Sequence, residues 1–480
     1  MISASKRIFP EISVKRSWIV LLIMAAFMLC GCGGLLPRSN YMPPKVDMPE
    51  NWSHTDSSSA VANGEKWWRD FNDPLLIELI ERALITNNDL AAAAIRVRRA
   101  QLTSRLTDTN LTPSASVEGT SSVRRDFKRD NTDRSSGVAG MLNYELDLWG
   151  KLAANRDASR WEMEATESDR QSVELSLIGT TAKNYWQISY LKERIATAQA
   201  SIAYARKCLE LAEVKYNAGS VSSLDIIQAK QALAARLAEL VQLERQCEEA
   251  RNSLAIVFDQ APQNTVLERE SLPDGPLPDV AAGLPANLLG RRPDLRAAEQ
   301  RLKKYLANVD YTQASYYPTF SLTGTLGASS SSLLSFLQNP YGSLAASLTL
   351  PFIQWNTMQL DVAVSKTEYD EAELNFRQTL YSAMSEVENA LSGRIRYEEE
   401  NRFREESFAL ARKAEGLAET RYMAGFTELK TWLDAQESRR DAENLLAENR
   451  LNRLVNHMTL YQALGGGITV EPEEYSTNSR

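Results

Sequence analysis

Apolar and polar residues alternate in four short stretches of this chain. Ala115 and Val117 stand against Ser114, Ser116 and Glu118, in a stretch reaching about Arg125. Val138, Leu142, Tyr144, Leu146 and Leu148 alternate with Ala139, Asn143, Glu145 and Asp147. Phe320, Leu322 and Leu326 oppose Thr319, Ser321, Thr323 and Thr325. Leu344, Ala346, Leu348, Leu350 and Phe352 oppose Ser343, Ala345, Ser347 and Thr349. A period of two predicts strands. Their lengths, about 10–13 residues, suit a transmembrane β-strand, which needs about 9–11. A soluble sandwich sheet with one wet face would show the same alternation.

The rest of the pattern is helical. Lys151 to Ala261 and Phe352 to Glu471 contain no proline, and the clearest break in each run is at Gly219 or Gly425. These two glycines are the expected turns of two hairpins. The first arm, Lys151 to about Asn217, would be roughly 100 Å long at 1.5 Å per residue. Heptad spacing holds at Ile202, Leu209 and Tyr216, but steps of seven from Leu433 land on Arg440 and Ala447. The packing is therefore expected to be irregular rather than a strict zipper. Upstream, Asp73 and Pro74 suit the N-cap and first position of a helix carrying Leu75, Leu79 and Ala83.

The plan occurs twice. Asp89 to Thr120 aligns without a gap on Asp294 to Thr325, and ten positions, among them Asp89/Asp294, Arg96/Arg301, Pro113/Pro318 and Gly119/Gly324, are identical. About two would be expected at average residue usage. Tyr216-x-Ala218-Gly219 recurs as Tyr422-x-Ala424-Gly425. The chain reads as one unit used twice: residues 67–258 and 286–464, joined by a proline-rich connector at 259–285 and followed by a tail at 465–480. The fold class is mainly α with a small β part.

Four strands cannot close a barrel, because the smallest membrane barrels have about eight. Open sheet edges are not tolerated in lipid. If these strands span a bilayer, several copies of the chain must share one barrel.

Composition narrows the chemistry. The 480 residues carry a net charge of −8, which does not suggest a nucleic-acid partner. There are two histidines, His54 in an extended tether and His457 on what reads as a polar helix face. Cys208 and Cys247 lie on opposite arms of the first hairpin with an axial offset near 25 Å, too far for a disulfide. No phosphate loop, paired-histidine ligand motif or nucleophile–histidine–acid set is present, so no catalytic, cofactor-binding or metal residues are assigned and an enzyme is not expected. Gly465-Gly466-Gly467 reads as a helix stop. The basic run Arg124, Arg125, Lys128, Arg129 and Arg134 reads either as a solvated loop or as a contact for anionic lipid headgroups. A second loop, Ser329 to Tyr341, is serine-rich around Leu333, Leu334 and Phe336.

At the N-terminus a basic start, Lys6 to Arg16, precedes an apolar run from Trp18 to Leu29 that is too short to span a bilayer. Leu29-Cys30-Gly31-Cys32 resembles a bacterial lipoprotein box, which implies a signal peptide at 1–31 and lipidation of Cys32. The tether would then occupy 32–66, and Gly33 by the same likeness favours the outer membrane. No later segment offers 18 uncharged apolar residues, so any crossing of the membrane must be made by strands.

Leu284-Pro285-x-x-Leu288-Leu289-x-Arg291-Arg292-Pro293-Asp294 resembles the signature of the TolC-like outer-membrane factor family, in its lipid-anchored branch. Trp67-Trp68-x-x-Phe71-x-Asp73-Pro74, Tyr144-Glu145-x-Asp147-x-Trp149-Gly150 and Arg421-Tyr422-x-x-Gly425 with Leu433-Asp434-Ala435-Gln436 fit the same pattern. The resemblance implies a homotrimer in which four strands per chain complete a twelve-stranded barrel and the hairpins form an α-barrel across the periplasm. It implies as partners a periplasmic adaptor and an inner-membrane pump of the RND type, and as role the passive exit duct of a tripartite efflux system. Protein secretion, and a structural coiled-coil lipoprotein without a channel, stay open as alternatives. The family places gate residues where Asp434 stands, and Lys430 lies one helical turn earlier, where members often carry an apolar residue. A charged constriction of Asp434 and Lys430, with Asp225 of the first hairpin as a weaker member, is one expectation. A solvated ion pair on a helix face is the other.

Overall fold

The computed structural model describes residues 38–54, 66–128, 130–262, 268–280, 282–283, 285–330 and 339–467. The expected signal peptide, Cys32, and the Leu333–Phe336 part of the second loop lie outside the described residues. The described chain forms two compact units. One draws on the described residues of 1–44, 99–164 and 300–374, the other on those of 45–98, 165–299 and 375–480. Each element of the first half returns in the second. Helix α1 (Pro74–Thr86) leads into α2 (Asn88–Asp108), β1 (Ser114–Asp126), β2 (Asn131–Leu146), α3 (Lys151–Asn217) and α4 (Ser223–Val257). A helical turn at Leu288–Arg291 then precedes α5 (Pro293–Ser315), β3 (Thr319–Ser330), β4 (Pro340–Thr349), α6 (Trp355–Met423) and α7 (Leu429–Ala463). Helices α3 and α6 run for 67 and 69 residues, and α4 and α7 for 35 each.

The first unit holds a four-stranded antiparallel sheet in the order β1-β2-β3-β4. Directly opposed residues of an antiparallel pair share a face, so the register decides which side chains sit together. Ala115 lies opposite Leu142, which lies opposite Gly324, which lies opposite Leu344. The next row is Val117, Gly140, Leu326 and Gly342, and the one after it Gly119, Val138, Ala328 and Pro340. On the other side of that first row come Tyr144, Leu322 and Ala346, then Leu146, Phe320 and Leu348. All four alternations therefore coincide on one face. The opposite face carries Ser116, Met141 and Thr325 in one row and Ser114, Asn143, Thr323 and Ala345 in another, where the Thr323 hydroxyl donates to Asn143 Oδ1 at 2.9 Å.

That apolar face is bare in the single chain: Val117 is 80%, Leu326 77% and Leu344 82% exposed. Both outer edges, on β1 and β4, have no strand beside them among the described residues. A joint ties the sheet to its helix. Asp147 accepts from the backbone N–H groups of Leu152 and Ala153 at 3.0 and 2.8 Å, capping α3. Trp149 donates Nε1–H to the Pro318 carbonyl at 2.7 Å and tilts onto Tyr317.

Several strand boundaries differ from the alternation: β2 stops at Leu146, before Asp147 and Leu148, and β3 and β4 take in Ser329, Ser330, Pro340 and Tyr341 from the expected second loop. β2 starts at Asn131, seven positions before Val138, so Arg124, Arg125 and Arg134 are strand residues and the turn between β1 and β2 is short. Thr132, Ser135 and Ser136 gave that end no apolar member to alternate. β4 ends at Thr349 because Pro351, which has no N–H to donate, opens a 3-10 turn, and Leu350 and Phe352 fall beyond the strand.

The second unit is helical and buries a large apolar core, although Val241, Leu417 and Phe426 stay exposed. Trp67 stacks on Tyr461 at 4.6 Å between ring centroids, and Phe71 leans on Trp186 at 5.2 Å. The Trp67-Trp68-x-x-Phe71 motif is thus a core anchor. Asp73 accepts from Leu75 N–H and Leu76 N–H at 3.1 and 3.3 Å as the N-cap of α1, and Tyr185 donates its hydroxyl to it at 3.0 Å. Arg292 of the Arg-Arg-Pro-Asp motif is buried. It grips Asp294 at 3.0 and 2.7 Å, Glu386 at 2.7 Å and the Ala463 carbonyl at 3.0 Å. Gly465, at φ +88°, ends α7 as expected of a helix stop.

His457 does not sit on a polar face. It is buried, edge-on to Phe71 at 5.6 Å and to Tyr461 at 5.4 Å. The last turns of α7 are packed on nearly every side, so polar neighbours such as Asn456 do not mark a wet face. Burial, with the Arg394 guanidinium adding to it, pushes the His457 pKa down to about 4, against a smaller pull from the Pro278 backbone and Asp279.

Candidate gate at the hairpin tips

Both hairpins turn through the same backbone device. After α3, Gly219 at φ +73° lets its own N–H reach the Tyr216 carbonyl and Ser220 N–H reach the Lys215 carbonyl, each at 2.9 Å. After α6, Gly425 at φ +79° bonds the Tyr422 carbonyl at 3.1 Å, and Phe426 N–H bonds Arg421 at 2.9 Å. This is the paired closure of a Schellman motif, which needs a left-handed residue after the helix. Glycine supplies it without a Cβ penalty.

The side chains around the two turns differ. Next to the second turn, Trp432 of α7 is buried, stacked on Tyr422 at 5.2 Å and edge-on to Tyr204 at 5.7 Å. Cys208, Ala212, Ala229, Ala418 and Leu429 complete this cluster. Lys215 donates Nζ–H to the Tyr422 carbonyl at 3.0 Å and lies 4.0 Å from the Tyr422 ring centre. Burial, then the negative charge of Asp225, pushes the Tyr422 hydroxyl pKa up. Sequence reading missed this aromatic seat. Its one visible signal was an unmatched tryptophan at 432, two residues before the expected gate acid.

Trp432 fixes what α7 presents. At 100° per residue, Lys430 and Asp434 lie within about 40° of each other on the opposite side of the helix from Trp432. Lys430 Nζ sits 2.9 and 2.8 Å from the two Asp434 oxygens, and both side chains are mostly exposed. The structure therefore brings these two expected gate residues together as an i,i+4 pair. Asp225 stands apart from them in role. It is the third residue after Ser222, the N-cap of α4, whose side chain accepts from Leu224 N–H at 3.2 Å and whose hydroxyl lies 3.4 Å from Asp225 Oδ1. Its carboxylate faces Lys215 and Tyr422 across a shared hollow at the tip.

Cys208 and Cys247 are both buried free thiols, as the axial offset required. Arg440, where the heptad step failed, is buried and pairs with Glu437, which also holds Arg236. No group of three or more metal-ligating side chains occurs among the described residues.

Comparison with known proteins finds relatives along most of the chain. The family model described as outer membrane efflux protein matches residues 79–257 and 284–466. The pyoverdine export outer membrane protein OpmQ of Pseudomonas putida is 31% identical over 90% of this chain and 95% of its own length. The probable efflux pump outer membrane protein TtgC of the same species is 28% identical over 93% and 95%. Among solved structures, the open state of the Neisseria gonorrhoeae MtrE outer membrane channel superposes with a TM-score of 0.78 at 28% identity, covering 90% of this chain and 98% of that one.

Proposed function

The chain belongs to the outer membrane efflux protein family, and from that premise we propose how its bare sheet and its hairpin tips serve the channel. The protein is an outer-membrane efflux channel that works with an adaptor and an inner-membrane pump, a passive conduit rather than an enzyme. The observation that carries the reading is the single apolar sheet face, exposed between two open edges. β1 and β4 run in opposite directions because the meander has four strands. The free β4 edge of one copy can therefore pair antiparallel with the β1 edge of the next, and every copy added preserves the pattern around a ring. Three copies give a twelve-stranded barrel, within the range of about 8–26 strands known for such barrels. Its lipid side is the apolar face, and its lumen is the hydroxyl-rich face.

Cys32 carries the lipid anchor in this reading, supported by the residues that precede it. The barrel rather than the lipid holds the assembly, so Cys32→Ser should still give heat-modifiable trimers. The two family-model matches support two copies of one unit per chain. Lys430 and Asp434 form the constriction at the tips, three pairs in the trimer, because Trp432 turns them away from the packed side of α7. Charged rings select by charge and narrow the opening. The cargo class closest to hand is a small exported molecule, since OpmQ is named for pyoverdine export and TtgC for an efflux pump.

Reconstitution into planar bilayers tests the function. Purified protein should give discrete conductance steps, and Asp434→Ala should raise the step size. Unchanged conductance in that variant would remove the gate assignment while leaving the channel intact. A detergent-free, monomeric protein without conductance would remove the channel itself.

A further inference from the structure

The β1–β2 hairpin lies at the end of the sheet away from the strand–helix joint at Asp147 and Trp149. Its basic residues are sorted by the register. Arg124 lies opposite Asp133, on the hydroxyl-rich face. Arg134 lies opposite Val123, and Arg125 opposite Thr132, both on the face that bears the apolar rows. The carboxylates of the two strands, Glu118, Asp126, Asp133 and Glu145, all fall on the other face by the same alternation. Asp130, in the turn, pairs with Arg125 at 2.9 Å. Arg134 makes no ion pair among the described residues. Phe127, at the turn, is 88% exposed, with the Arg125 guanidinium 5.9 Å from its ring centre.

Depth along the strands follows from the same rows. Five apolar rows run from Leu146, Phe320 and Leu348 up to Gly119, Val138, Ala328 and Pro340. Rows two residues apart are spaced about 6.7 Å along a strand. At a tilt near 40° the five rows span roughly 21 Å between centres, close to the ~25 Å apolar band of such barrels. A row of hydroxyls follows: Ser121, Ser136 and Ser330. Arg134 stands one row beyond it, about 10 Å above the last apolar row, and Arg125 one row further. The headgroup layer occupies about 5–8 Å on each side of the hydrocarbon. The Arg134 guanidinium on the lipid side meets phosphate at that depth, where its planar fork supplies paired donors, and Arg125, about 15 Å above the last apolar row, reaches the same layer along its flexible stem.

We propose that Arg134 and Arg125 form a docking site on the lipid side of the barrel for phosphate-bearing lipid headgroups of the outer leaflet. The site rests on the outer-membrane channel reading. It sets the depth of the barrel in the membrane and is separate from the lumen, which Arg124 and Asp133 face.

The test uses the full chain purified as trimers in detergent and titrated with a bisphosphorylated lipid A, with bound lipid counted by native mass spectrometry. Arg125→Gln/Arg134→Gln should lower apparent affinity about tenfold or more, since each basic group near an anionic surface contributes on the order of fivefold. Arg124→Gln should bind as the unsubstituted protein does, and the dephosphorylated glycolipid should bind neither. Equal loss in Arg124→Gln, or full retention in the double variant, would overturn the assignment. Displacement of the lipid by millimolar inorganic phosphate would assign a small-anion site instead and overturn it too. Heat-modifiable trimers and bilayer conductance are read on the same preparations. They should persist in the double variant, so failure of the lipid site is distinct from failure of the channel.

Discussion

The sheet and the helical unit treat the same kinds of side chain in opposite ways. Leu344 and Leu326 stand almost fully exposed on the sheet, whereas Leu380, Leu76 and Tyr461 in the helical unit are sealed from solvent. Apolar burial contributes roughly 25 cal/mol per Å² removed from water. The helical unit collects that gain within one chain. The sheet cannot, and its two unpaired edges leave backbone groups unsatisfied as well. The difference fits two surroundings, water for most of the helical unit and hydrocarbon for the apolar face of the sheet. Depletion of charge along the apolar rows fits that conclusion, because a soluble sheet guards its edges and open face with charge.

The contrast can be broken hardest on the sheet. Leu344→Arg places a guanidinium in mid-band, at about 2–4 kcal/mol per copy. Summed over three copies this should remove trimers from the membrane fraction on a heat-modifiability gel. Ser347→Arg, on the hydroxyl-rich face, should insert normally and change only conductance. In the helical unit the expected loss is of the cavity kind. Leu380→Ala should lower stability by about 2–5 kcal/mol, seen as an earlier helical melt by circular dichroism with barrel insertion unaffected.

A pH dependence separates the units further. His457 is held neutral in the fold, with its pKa down at about 4 against 6.5 in the unfolded chain. The unfolded state therefore takes up a proton that the folded state refuses. Stability is complete above pH 6.5, falls as pH drops between 6.5 and 4, and is lower by on the order of 3 kcal/mol below that. His457→Phe should flatten this slope in a urea titration repeated across pH. The smallest effect expected is at the tip. Gly425→Ala forces a side chain into a left-handed backbone, costing about 1 kcal/mol, and should shift the melt by only about 1 °C.

Much of this architecture was legible beforehand, for identifiable reasons. The strands announced themselves where Leu, Phe and Val alternate with Ser and Thr, and the long helices by the absence of proline from Lys151 to Ala261. The α3 boundaries matched because Asp147 caps one end and Gly219 closes the other. Alternation failed at the outer end of β2, where Ser135, Ser136 and Gly137 are small or polar on both faces, and backbone pairing alone defines the strand. His457 was misjudged because α7 is surrounded late in its length, and a helix packed on every side has no wet stripe to read. At the candidate gate, the Lys430–Asp434 pair followed from spacing. The Trp432 seat that orients it joins α3, α6 and α7, and contacts between distant segments leave no local periodicity.

The central claim is that the even positions of β4 face lipid. Spin labels placed singly at 341–349 in the reconstituted trimer, read for collision with oxygen and with a water-soluble nickel chelate, test it most directly. Oxygen accessibility should peak at Gly342, Leu344, Ala346 and Leu348, with the nickel reagent favouring Ser343, Ala345 and Ser347. A flat profile, or nickel access equal on both faces, would mean that the sheet meets water on both sides, and the barrel would not exist.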